Sequence, residues 1–461
     1  SWNRYLQIEP FSADPLNESY QWWNFDVVNI PEALDIIGQE VKPVNVAVLD
    51  TGSPYAVDPA FSRSIFDTEW GWDMVDNDAL ADDDEFPNGS FSHGTHVGST
   101  ISMLNDGLDG NGMAARVTPI RVCGGSGCPG SATYGAYLYL NGDTNDSLTT
   151  FAQRSAGQKL HSVNMSYGGS GGSATSASCV KLGELAEKGV LIASSSGNSG
   201  IGSVGWPSSC PRVYSVGATN GTDRRSSYSS TNEYVAFSAP GGEYSDWNAD
   251  GIDDLVYAYA RDDSYVQSSN NGNPLIGAQG TSMASPHGAG FLGLIKYYYE
   301  DIVKPFESNT TLPSSLTYVE VDKMLAANLL TNDVNKEERP NDSVARPGWD
   351  EHLGYGIIDL EKAIKAIESF QNGYFTSFDA LPYYEGPSTV TLNPEESYTG
   401  QFTITPKGAA GEGFNEVTYT YVTEFLNVEA DGLTFTVTKQ EDDDWAGWVN
   451  TVVQFDFPLA E

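Results

Sequence analysis

Five short runs of apolar, mostly β-branched residues recur through the first half of the chain, and helical patterns separate them. Strands that are buried on both faces of a parallel sheet have this character, because crossover helices cover both sides of such a sheet. We therefore predict an α/β domain with three layers around a mainly parallel sheet. The predicted strands are VNVAVLD, VTPIRVC, HSVNMS, GVLIASS and RVYSVGA.

The rest of the chain divides into helices and a region of different character. The predicted helices are residues 179–188, a buried helix that begins at Ser282 and runs through GAGFLGLIKYYY, and an amphipathic closing helix at 354–370. Beyond them, apolar and polar residues alternate between turn signals, which is typical of an antiparallel β-sandwich. The sequence thus predicts a large domain at 1–372, with an N-terminal extension of about 1–40, and a small all-β domain at 373–461.

Three glycine-flanked motifs supply an acid, a base and a nucleophile. They are VAVLDTG with Asp50, SHGTHVG with His93, and GTSMASPHG with Ser282. A serine hydroxyl is a weak nucleophile, so an imidazole must accept its proton and a buried carboxylate must orient that imidazole. Asp50 ends a predicted buried strand, and open α/β sheets place their sites at such carboxyl ends. His96 lies three residues after His93, and only one of the two can be the base.

Each motif also has an ordinary structural interpretation. An aspartate after a buried strand is usually a cap or turn residue, and HGTH could be a metal half-site or contain a buried core histidine. The joint occurrence of all three motifs in the order Asp, His, Ser is what favours acyl transfer, because chance agreement is very unlikely.

With these motifs the chain resembles the subtilisin-like serine proteases, the subtilases, over roughly residues 20–368. The resemblance implies a peptidase with a covalent acyl-enzyme and excludes His96 and Ser285 from the triad. One departure is HGTHVGS in place of the usual HGTHVAG, and we expect Gly98 to reflect a packing adjustment. By motif match the triad is Asp50, His93 and Ser282.

An oxyanion needs fixed hydrogen-bond donors, and the segment VLIASSSGNSGIGS contains a candidate in Asn198. Asn198 follows a predicted buried strand and lies between glycines, so an ordinary Gly-Asn turn is the alternative. The subtilase pattern carries its oxyanion asparagine in a similar GN sequence. The resemblance therefore implies Asn198 and the Ser282 backbone N–H as the two donors.

Two segments are predicted to line the substrate cleft, since a protease binds peptide largely through its main chain. VNMSYGG at 163–169 resembles the substrate-lining strand of the family, although it could be only another core strand, and VGWP at 204–207 is expected to form the pocket wall. Neither segment contains an acidic residue. We therefore expect a large apolar or aromatic residue before the scissile bond, rather than dibasic processing. The predicted substrate-binding residues are Ser166, Tyr167, Gly168, Gly205 and Trp206.

The chain is strongly acidic, with 23 Lys plus Arg against 62 Asp plus Glu among 461 residues and a formal net charge of −39. Such a charge argues against nucleic acid or anionic membranes as partners. Uncompensated, it would also weaken the compact state through self-repulsion. A solvated surface suited to saline surroundings and bound divalent cations are the two explanations that the composition leaves open.

Three acidic loops predict two or three Ca²⁺ ions, because hard oxygen ligands are concentrated there. GWDMVDNDALADDD resembles a calcium loop of heat-stable subtilases, DWNADGIDD opens like an EF-hand loop but lacks its final Glu, and LNDGLDGNG matches the family's tight calcium loop in length. An acidic turn without metal is the alternative for the second. The predicted ligands are Asp73, Asp76, Asp78 and Asp82 in the first loop, Asp246, Asn248, Asp250, Ile252 and Asp254 in the second, and Asp106 with Asp58 in the third.

Four cysteines allow three pairings, and Cys123 with Cys128 and Cys179 with Cys210 is favoured because the first two flank a short Gly-rich loop. Free buried thiols are the alternative. No paired CxxC and no HExxH motif predicts zinc.

The chain opens with Ser1, shows no signal peptide and has no long apolar run. We expect a secreted, monomeric, mature enzyme that acts on proteins or peptides after loss of its own propeptide. The rival hypotheses are a catalytically silent binding protein on this scaffold and a narrow processing protease.

Overall fold

The structure is a computed structural model. It describes residues 6–7, 22–37, 40–41, 44–53, 66–67, 69–83, 92–102, 112–113, 115–125, 127–143, 150–155, 157–169, 172–247, 252–260, 275–306, 312–332, 349–371, 377–385, 389–392, 398–406, 417–423, 433–437 and 455–456.

Within these ranges a nine-stranded sheet forms the centre of the molecule, in the order β12-β13-β9-β8-β7-β6-β3-β5-β4. Its neighbours pair in parallel, apart from the antiparallel β12 and β13. The five predicted strands are confirmed as β3, β5, β6, β7 and β8. The strands are β3 (Asn45–Asp50), β4 (Trp72–Asp73), β5 (Arg116–Arg121), β6 (Ser162–Met165), β7 (Leu191–Ser195), β8 (Tyr214–Thr219), β9 (Val235–Pro240), β12 (Thr331–Asn332) and β13 (Ile357–Ile358).

Helices cover both faces of this sheet, as the apolar runs predict. Alternate residues of β3 divide between two cores: Val46 and Val48 pack on one side, and Ala47 and Leu49 on the other. The helices are α1 (Trp22–Asp26), α2 (Ile30–Ile37), α3 (His93–Ser102), α4 (Gly130–Asn141), α5 (Phe151–Arg154), α6 (Ala177–Glu187), α7 (Thr281–Tyr297), α8 (Tyr318–Ala326) and α9 (Leu360–Gln371). Helix α7 belongs to the first core, and α4 and α6 belong to the second.

The predicted start of the closing helix, residue 354, is wrong. Helix α9 begins at Leu360, so the first third of the predicted range is not helical. Gly354 adopts a left-handed φ of +66°, and a Cβ there would lie 2.3 Å from the Ala236 backbone. Ile357–Ile358 then forms the buried strand β13, and the Asp359 carboxylate caps the helix by accepting the Lys362 N–H at 2.9 Å. The glycine and the capping aspartate are ordinary stop and start signals that the apolar periodicity concealed.

The remaining strands pair in smaller antiparallel sheets. β14 (Pro382–Glu385), β16 (Tyr398–Pro406) and β17 (Val417–Thr423) form one, and β15 (Thr389–Leu392), β18 (Leu433–Val437) and β19 (Phe455–Asp456) form another. The packing of these two sheets into a sandwich and the boundary at residue 373 stay predictions. Two antiparallel pairs, β1 (Leu6–Gln7) with β2 (Glu40–Val41) and β10 (Val256–Tyr259) with β11 (Leu275–Ala278), complete the described strands.

Both predicted disulfides are confirmed, Cys123–Cys128 and Cys179–Cys210, and no cysteine is free. Among the described helices, none combines the length and the apolar character that crossing a lipid bilayer requires.

Candidate active site

Asp50 is the last residue of β3 and is only 1% exposed. In the register of β3 with β6, Leu49 lies opposite Met165. Asp50 and Ser166 are the next residues on these neighbouring strands, so they stand side by side at the carboxyl edge of the sheet. Gly52 then turns the chain with a φ of +117°, where a Cβ would lie 2.7 Å from the Ala81 carbonyl.

His93 is the first residue of α3, and its Nδ1 lies 2.7 Å from Oδ1 of Asp50. A carboxylate can only accept hydrogen bonds, so Nδ1 carries the proton and Nε2 is the basic nitrogen of the neutral ring. The same carboxylate oxygen accepts the Thr51 N–H at 2.8 Å, and the Thr51 hydroxyl accepts the Gly94 N–H at 2.8 Å. The acid is thereby tied to the start of the helix that carries the base.

His96 is fully buried, and its Nε2 lies 2.9 Å from the Ile276 carbonyl. Burial lowers the pKa of His96 to about 4. A buried histidine that is neutral and bonded to a backbone carbonyl has the character of a structural residue. Gly98, the departure from the family pattern, lies against Phe66, because a Cβ there would approach the Phe66 ring to 2.7 Å. The expected packing adjustment is therefore visible.

Asp83 contributes to the site although the sequence did not single it out. Its Oδ2 accepts the Thr95 N–H at 3.2 Å and the Thr95 hydroxyl at 3.0 Å, and its own N–H donates to the Ser53 carbonyl at 2.9 Å. Burial raises the pKa of Asp83 to about 6. Asp83 links the loop after β3 to the first turn of α3. In the sequence Asp83 lies beside Asp82, a predicted metal ligand, and nothing in the local pattern distinguishes the two carboxylates.

Ser282 is the second residue of α7 and follows a tight glycine turn. Gly280 has φ +153° and ψ 159°, a backbone region that is nearly exclusive to glycine. The Ser282 hydroxyl donates to the Ser166 carbonyl at 3.0 Å, and the Ser166 hydroxyl donates to the Ser282 carbonyl at 2.8 Å. Since Ser166 stands beside Asp50, the predicted nucleophile, base and acid lie at the same edge of the sheet.

Asn198 lies in the loop after β7, and its amide is fixed in orientation. Its Oδ1 accepts both the N–H and the hydroxyl of Thr281, each at 2.9 Å. The Thr281 hydroxyl in turn accepts the Gly197 N–H at 3.1 Å. Because the amide oxygen is engaged, the NH₂ group is the end that Asn198 can offer to a ligand. The Ser282 N–H belongs to the first helical turn, where backbone donors have no intrahelical partner.

The two predicted pocket segments pair with each other through Gly169 and Trp206, whose N–H and carbonyl groups exchange hydrogen bonds at 2.9 Å. The Tyr167 hydroxyl is hydrogen-bonded to a residue of α4, because it lies 2.8 Å from the Tyr137 hydroxyl. Gly168 allows Trp206 to approach, since a Cβ would lie 3.2 Å from the Trp206 carbonyl.

Gly205, a predicted substrate-binding residue, lies close to another part of the chain. A Cβ at Gly205 would lie 2.8 Å from the Ser196 carbonyl and 3.0 Å from the Ser208 hydroxyl. Glycine is therefore required by the close approach of the chain itself. The side chain of Trp206 covers Gly172, where a Cβ would lie 1.7 Å from the indole.

In the first acidic loop, three of the predicted calcium ligands accept hydrogen bonds from protein donors. Arg121 donates from one guanidinium nitrogen to Asp73 and Asp76, at 2.6 Å each. The other oxygen of Asp73 accepts the N–H groups of Val75 and Asp76, and Asp78 accepts the Leu80 N–H at 2.7 Å. Among the described residues, Asp82 included, no group of three or more acidic, histidine or cysteine side chains is assembled around one point. Arg121 thus brings a positive charge to Asp73 and Asp76, and a calcium ion at this loop stays a prediction.

The second acidic loop is described only at its ends. Asp254 is 1% exposed, and its carboxylate accepts the N–H groups of Gly221 and Trp247 at 3.2 and 3.0 Å. Asp246 is exposed, and Ile252 lies at the other end of the loop. The predicted ligands Asn248 and Asp250, and Asp106 and Asp58 of the third site, lie outside the described residues.

This arrangement can perform nucleophilic chemistry on a carbonyl. It places a hydroxyl and an imidazole oriented by a buried carboxylate at one edge of the sheet, and it fixes the Asn198 amide against Thr281, the residue before Ser282. Each is attached to a regular element or to a turn held by several hydrogen bonds.

Curated proteins resemble this chain in sequence. Subtilisin Savinase of Lederbergia lenta is 30% identical over 278 residues, which cover 59% of this chain and 83% of that protein. Alkaline elastase YaB of Bacillus sp. (strain YaB) is 32% identical over 206 residues, 44% of either protein. M-protease of Shouchella clausii (strain KSM-K16) is 30% identical over 278 residues, 59% of either protein. The matched part is thus about half the length of the last two relatives.

Solved structures share the fold. A protease from Pseudoalteromonas arctica PAMC 21717 superposes with a TM-score of 0.56 at 24% identity, over 77% of this chain and 98% of that one. A lanthipeptide protease superposes with a TM-score of 0.56 at 20% identity, over 78% of this chain and 99% of that one.

The sequence model of the subtilase family matches residues 42–356, which is more than half of the chain and contains every residue of the site described above. The chain belongs to the subtilase family.

Proposed function

We propose that this protein is a secreted serine endopeptidase that cleaves peptide bonds through an acyl-enzyme. The observation that carries the proposal is the 2.7 Å contact between His93 and the buried Asp50, at the sheet edge where Ser282 meets Ser166. The fixed amide of Asn198, next to Thr281 and Ser282, adds a donor for the oxyanion. Acyl transfer requires such a donor, whereas a catalytically silent scaffold would not need one. Relatives named as alkaline proteases and subtilisins support the same activity.

In the first half of the reaction, Ser282 Oγ attacks the carbonyl carbon while His93 Nε2 takes the hydroxyl proton. Ser282 must first rotate away from the Ser166 carbonyl, to which it donates in this structure. The negative charge that develops on the carbonyl oxygen is stabilised by the Asn198 NH₂ and the Ser282 N–H. His93 then gives its proton to the departing amine, the C–N bond breaks and the acyl-enzyme remains.

In the second half, water replaces the amine. His93 accepts a proton from the water as its oxygen attacks the ester carbon, and the same two donors stabilise the oxyanion. The tetrahedral intermediate collapses, the proton returns to Ser282 Oγ, and the acid product leaves. The Asp50 carboxylate accepts the His93 Nδ1–H and stabilises the imidazolium that forms in each half.

We propose broad specificity with a preference for large apolar or aromatic residues before the scissile bond. The absence of acidic residues from 163–169 and 204–207 supports this preference, because a basic side chain would find no carboxylate in these two segments. A peptide strand would add to the edge formed by Ser166, Tyr167 and Gly168. Cleavage of a peptide library decides between this preference and the narrow processing alternative.

The setting and the organisation of the chain are also proposals. Two disulfides favour an oxidising, extracellular location, and one relative is named as a cell wall-associated protease of Bacillus subtilis (strain 168). We propose a monomer that matures by loss of a propeptide, with a peptidase domain at 1–372 and a β-sandwich domain at 373–461. Cleavage profiles with and without the second domain would show whether it binds substrate.

For calcium, we propose that the loop at 246–254 carries the ion dependence of the enzyme. Asp246, Asn248 and Asp250 alternate before Gly251, which is the spacing of an oxygen-ligand loop, and the net charge of −39 favours a bound cation. Chelation should lower the melting temperature of the wild type. Asp250→Ala should remove this effect of chelation on the melting temperature. The matched Asp78→Ala should retain it, because Arg121 already pairs with two carboxylates of the first loop. An unchanged wild-type melt would contradict the proposal.

The activity is tested by cleavage of an unfolded protein and of defined peptides. Ser282→Ala should abolish cleavage, whereas Ser285→Ala, three residues later on the same helix, should retain it, because the Ser285 hydroxyl is buried against Asn164. A folded wild type that cleaves no substrate would favour the silent binding protein.

A further inference from the structure

We infer that Tyr244 and Trp247 form a binding surface for the leaving-group side of the substrate, the residues that follow the scissile bond, and that this surface prefers large apolar side chains there. The inference rests on the proposed peptidase function. It concerns segment 241–247, of which only the last two residues belong to the predicted calcium loop.

Segment 241–247 is attached directly to the turn that presents the nucleophile. The Gly280 N–H donates to the Gly241 carbonyl at 2.9 Å. The Tyr244 N–H donates to the Gln279 side-chain oxygen at 2.7 Å, and Gln279 lies only three residues before Ser282. These contacts with Gln279 and Gly280 therefore restrict the movement of Tyr244 relative to Ser282.

Further hydrogen bonds, with Tyr228 and Asp254, fix the backbone of the segment. Tyr228 donates its hydroxyl to the Gly241 and Gly242 carbonyls at 2.9 and 2.6 Å. Asp254 accepts the Trp247 N–H at 3.0 Å through its side chain and the Glu243 N–H at 2.8 Å through its carbonyl. The backbone of 241–247 is thus a fixed platform.

The two large side chains of this platform nevertheless face solvent. Tyr244 is 64% exposed and Trp247 is 47% exposed. Aromatic residues on a rigid backbone bind apolar groups with little loss of their own freedom, because they have few rotatable bonds. The neighbouring Glu243 carboxylate is already engaged by Ser227 and Asn220. The platform therefore presents exposed aromatic rings on a segment that contacts the turn before Ser282.

The direction of the substrate follows from the contacts of Ser282. On one side Ser282 meets Ser166, the start of the edge to which the acyl portion of a peptide would add. On the other side Gln279 and Gly280 contact segment 241–247. A bound peptide has its scissile carbonyl carbon at Ser282 Oγ. When its acyl portion lies along the Ser166 side, the residues after the scissile bond lie along the side of segment 241–247.

Acyl transfer to added amines isolates this surface from the rest of the cleft. The enzyme is acylated with an ester of fixed acyl portion, and phenylalaninamide or glycinamide competes with water for the acyl-enzyme. We expect the wild type to use phenylalaninamide at least tenfold better than glycinamide. The Tyr244→Ala/Trp247→Ala double variant should reduce this ratio at least fivefold.

Two further variants control the measurement. Tyr244→Phe keeps the ring and should retain the ratio, and Val180→Ala removes a side chain that is 50% exposed on α6 and should also retain it. An unchanged ratio in the double variant overturns the inference while ester hydrolysis still supports the proposed function. A wild type that is not acylated by the ester overturns both.

Discussion

Thr281 is predicted to act on catalysis through Asn198, although it does not contact the substrate. Its hydroxyl donates to the Asn198 Oδ1 at 2.9 Å and accepts the Gly197 N–H at 3.1 Å. Thr281→Val keeps the volume of the side chain and removes both bonds. A typical net hydrogen bond is worth about 0.5 to 1.5 kcal/mol. The Thr281 N–H still donates to Asn198, but loss of one of the two bonds that orient the amide should lower kcat about 2- to 12-fold. KM should change little, because ground-state contacts remain.

A double-mutant cycle separates this effect from a general disturbance. Asn198→Ala alone should lower kcat by about 10² to 10³, a magnitude known from subtilisin itself rather than worked out from this structure. In the Asn198→Ala background, Thr281→Val should change kcat less than twofold, because no amide remains to be oriented. Steady-state kinetics on one peptide substrate give all four values. If the full effect of Thr281→Val persists without Asn198, the coupling through the amide is refuted.

Three other predictions follow from the described contacts. Asp50→Asn should lower kcat by about 10⁴, since an amide favours the wrong tautomer of the imidazole, and a loss below tenfold would contradict the role of Asp50. Replacing Cys179 and Cys210 by alanine opens a loop spanning a separation of 31 residues. It should cost about 3 to 4 kcal/mol in urea unfolding, and no measurable loss would contradict this. Burial lowers the pKa of His96 and His287 to about 4 from a usual 6.5, so the unfolded state binds more protons between these values. Stability should therefore fall as the pH drops from about 6.5 to 4, and a urea midpoint that is equal at pH 7 and pH 5 would argue against it.

The sequence predicted those parts of the molecule that local patterns determine. Buried parallel strands are continuous apolar runs, so β3, β5, β6, β7 and β8 could be recognised without long-range information. The motifs of Asp50, His93 and Ser282 are each contiguous. The closing helix was overextended because Ile357 and Ile358 are as compatible with a buried strand as with a helix face.

What the sequence missed depends on pairs that are distant along the chain. Arg121 joins Asp73 across a separation of 48 residues, and no local pattern distinguishes such a guanidinium from a metal ion as the partner of a carboxylate. Asp83 was hidden among acidic neighbours. Tyr244 became a candidate only through its contact with Gln279, 35 residues away. Tertiary contacts of this kind follow from the fold rather than from residue type.

The central claim, that Ser282 is a nucleophile activated by His93, is tested most directly by a fluorophosphonate probe and intact-mass measurement. The folded wild type should gain one phosphonyl group per chain, located at Ser282 by peptide mapping. Ser282→Ala should gain none, and His93→Ala should react at least 10³-fold more slowly because its serine has no general base. A folded wild type that does not react, or a Ser282→Ala variant that is labelled as rapidly as the wild type, would contradict the claim.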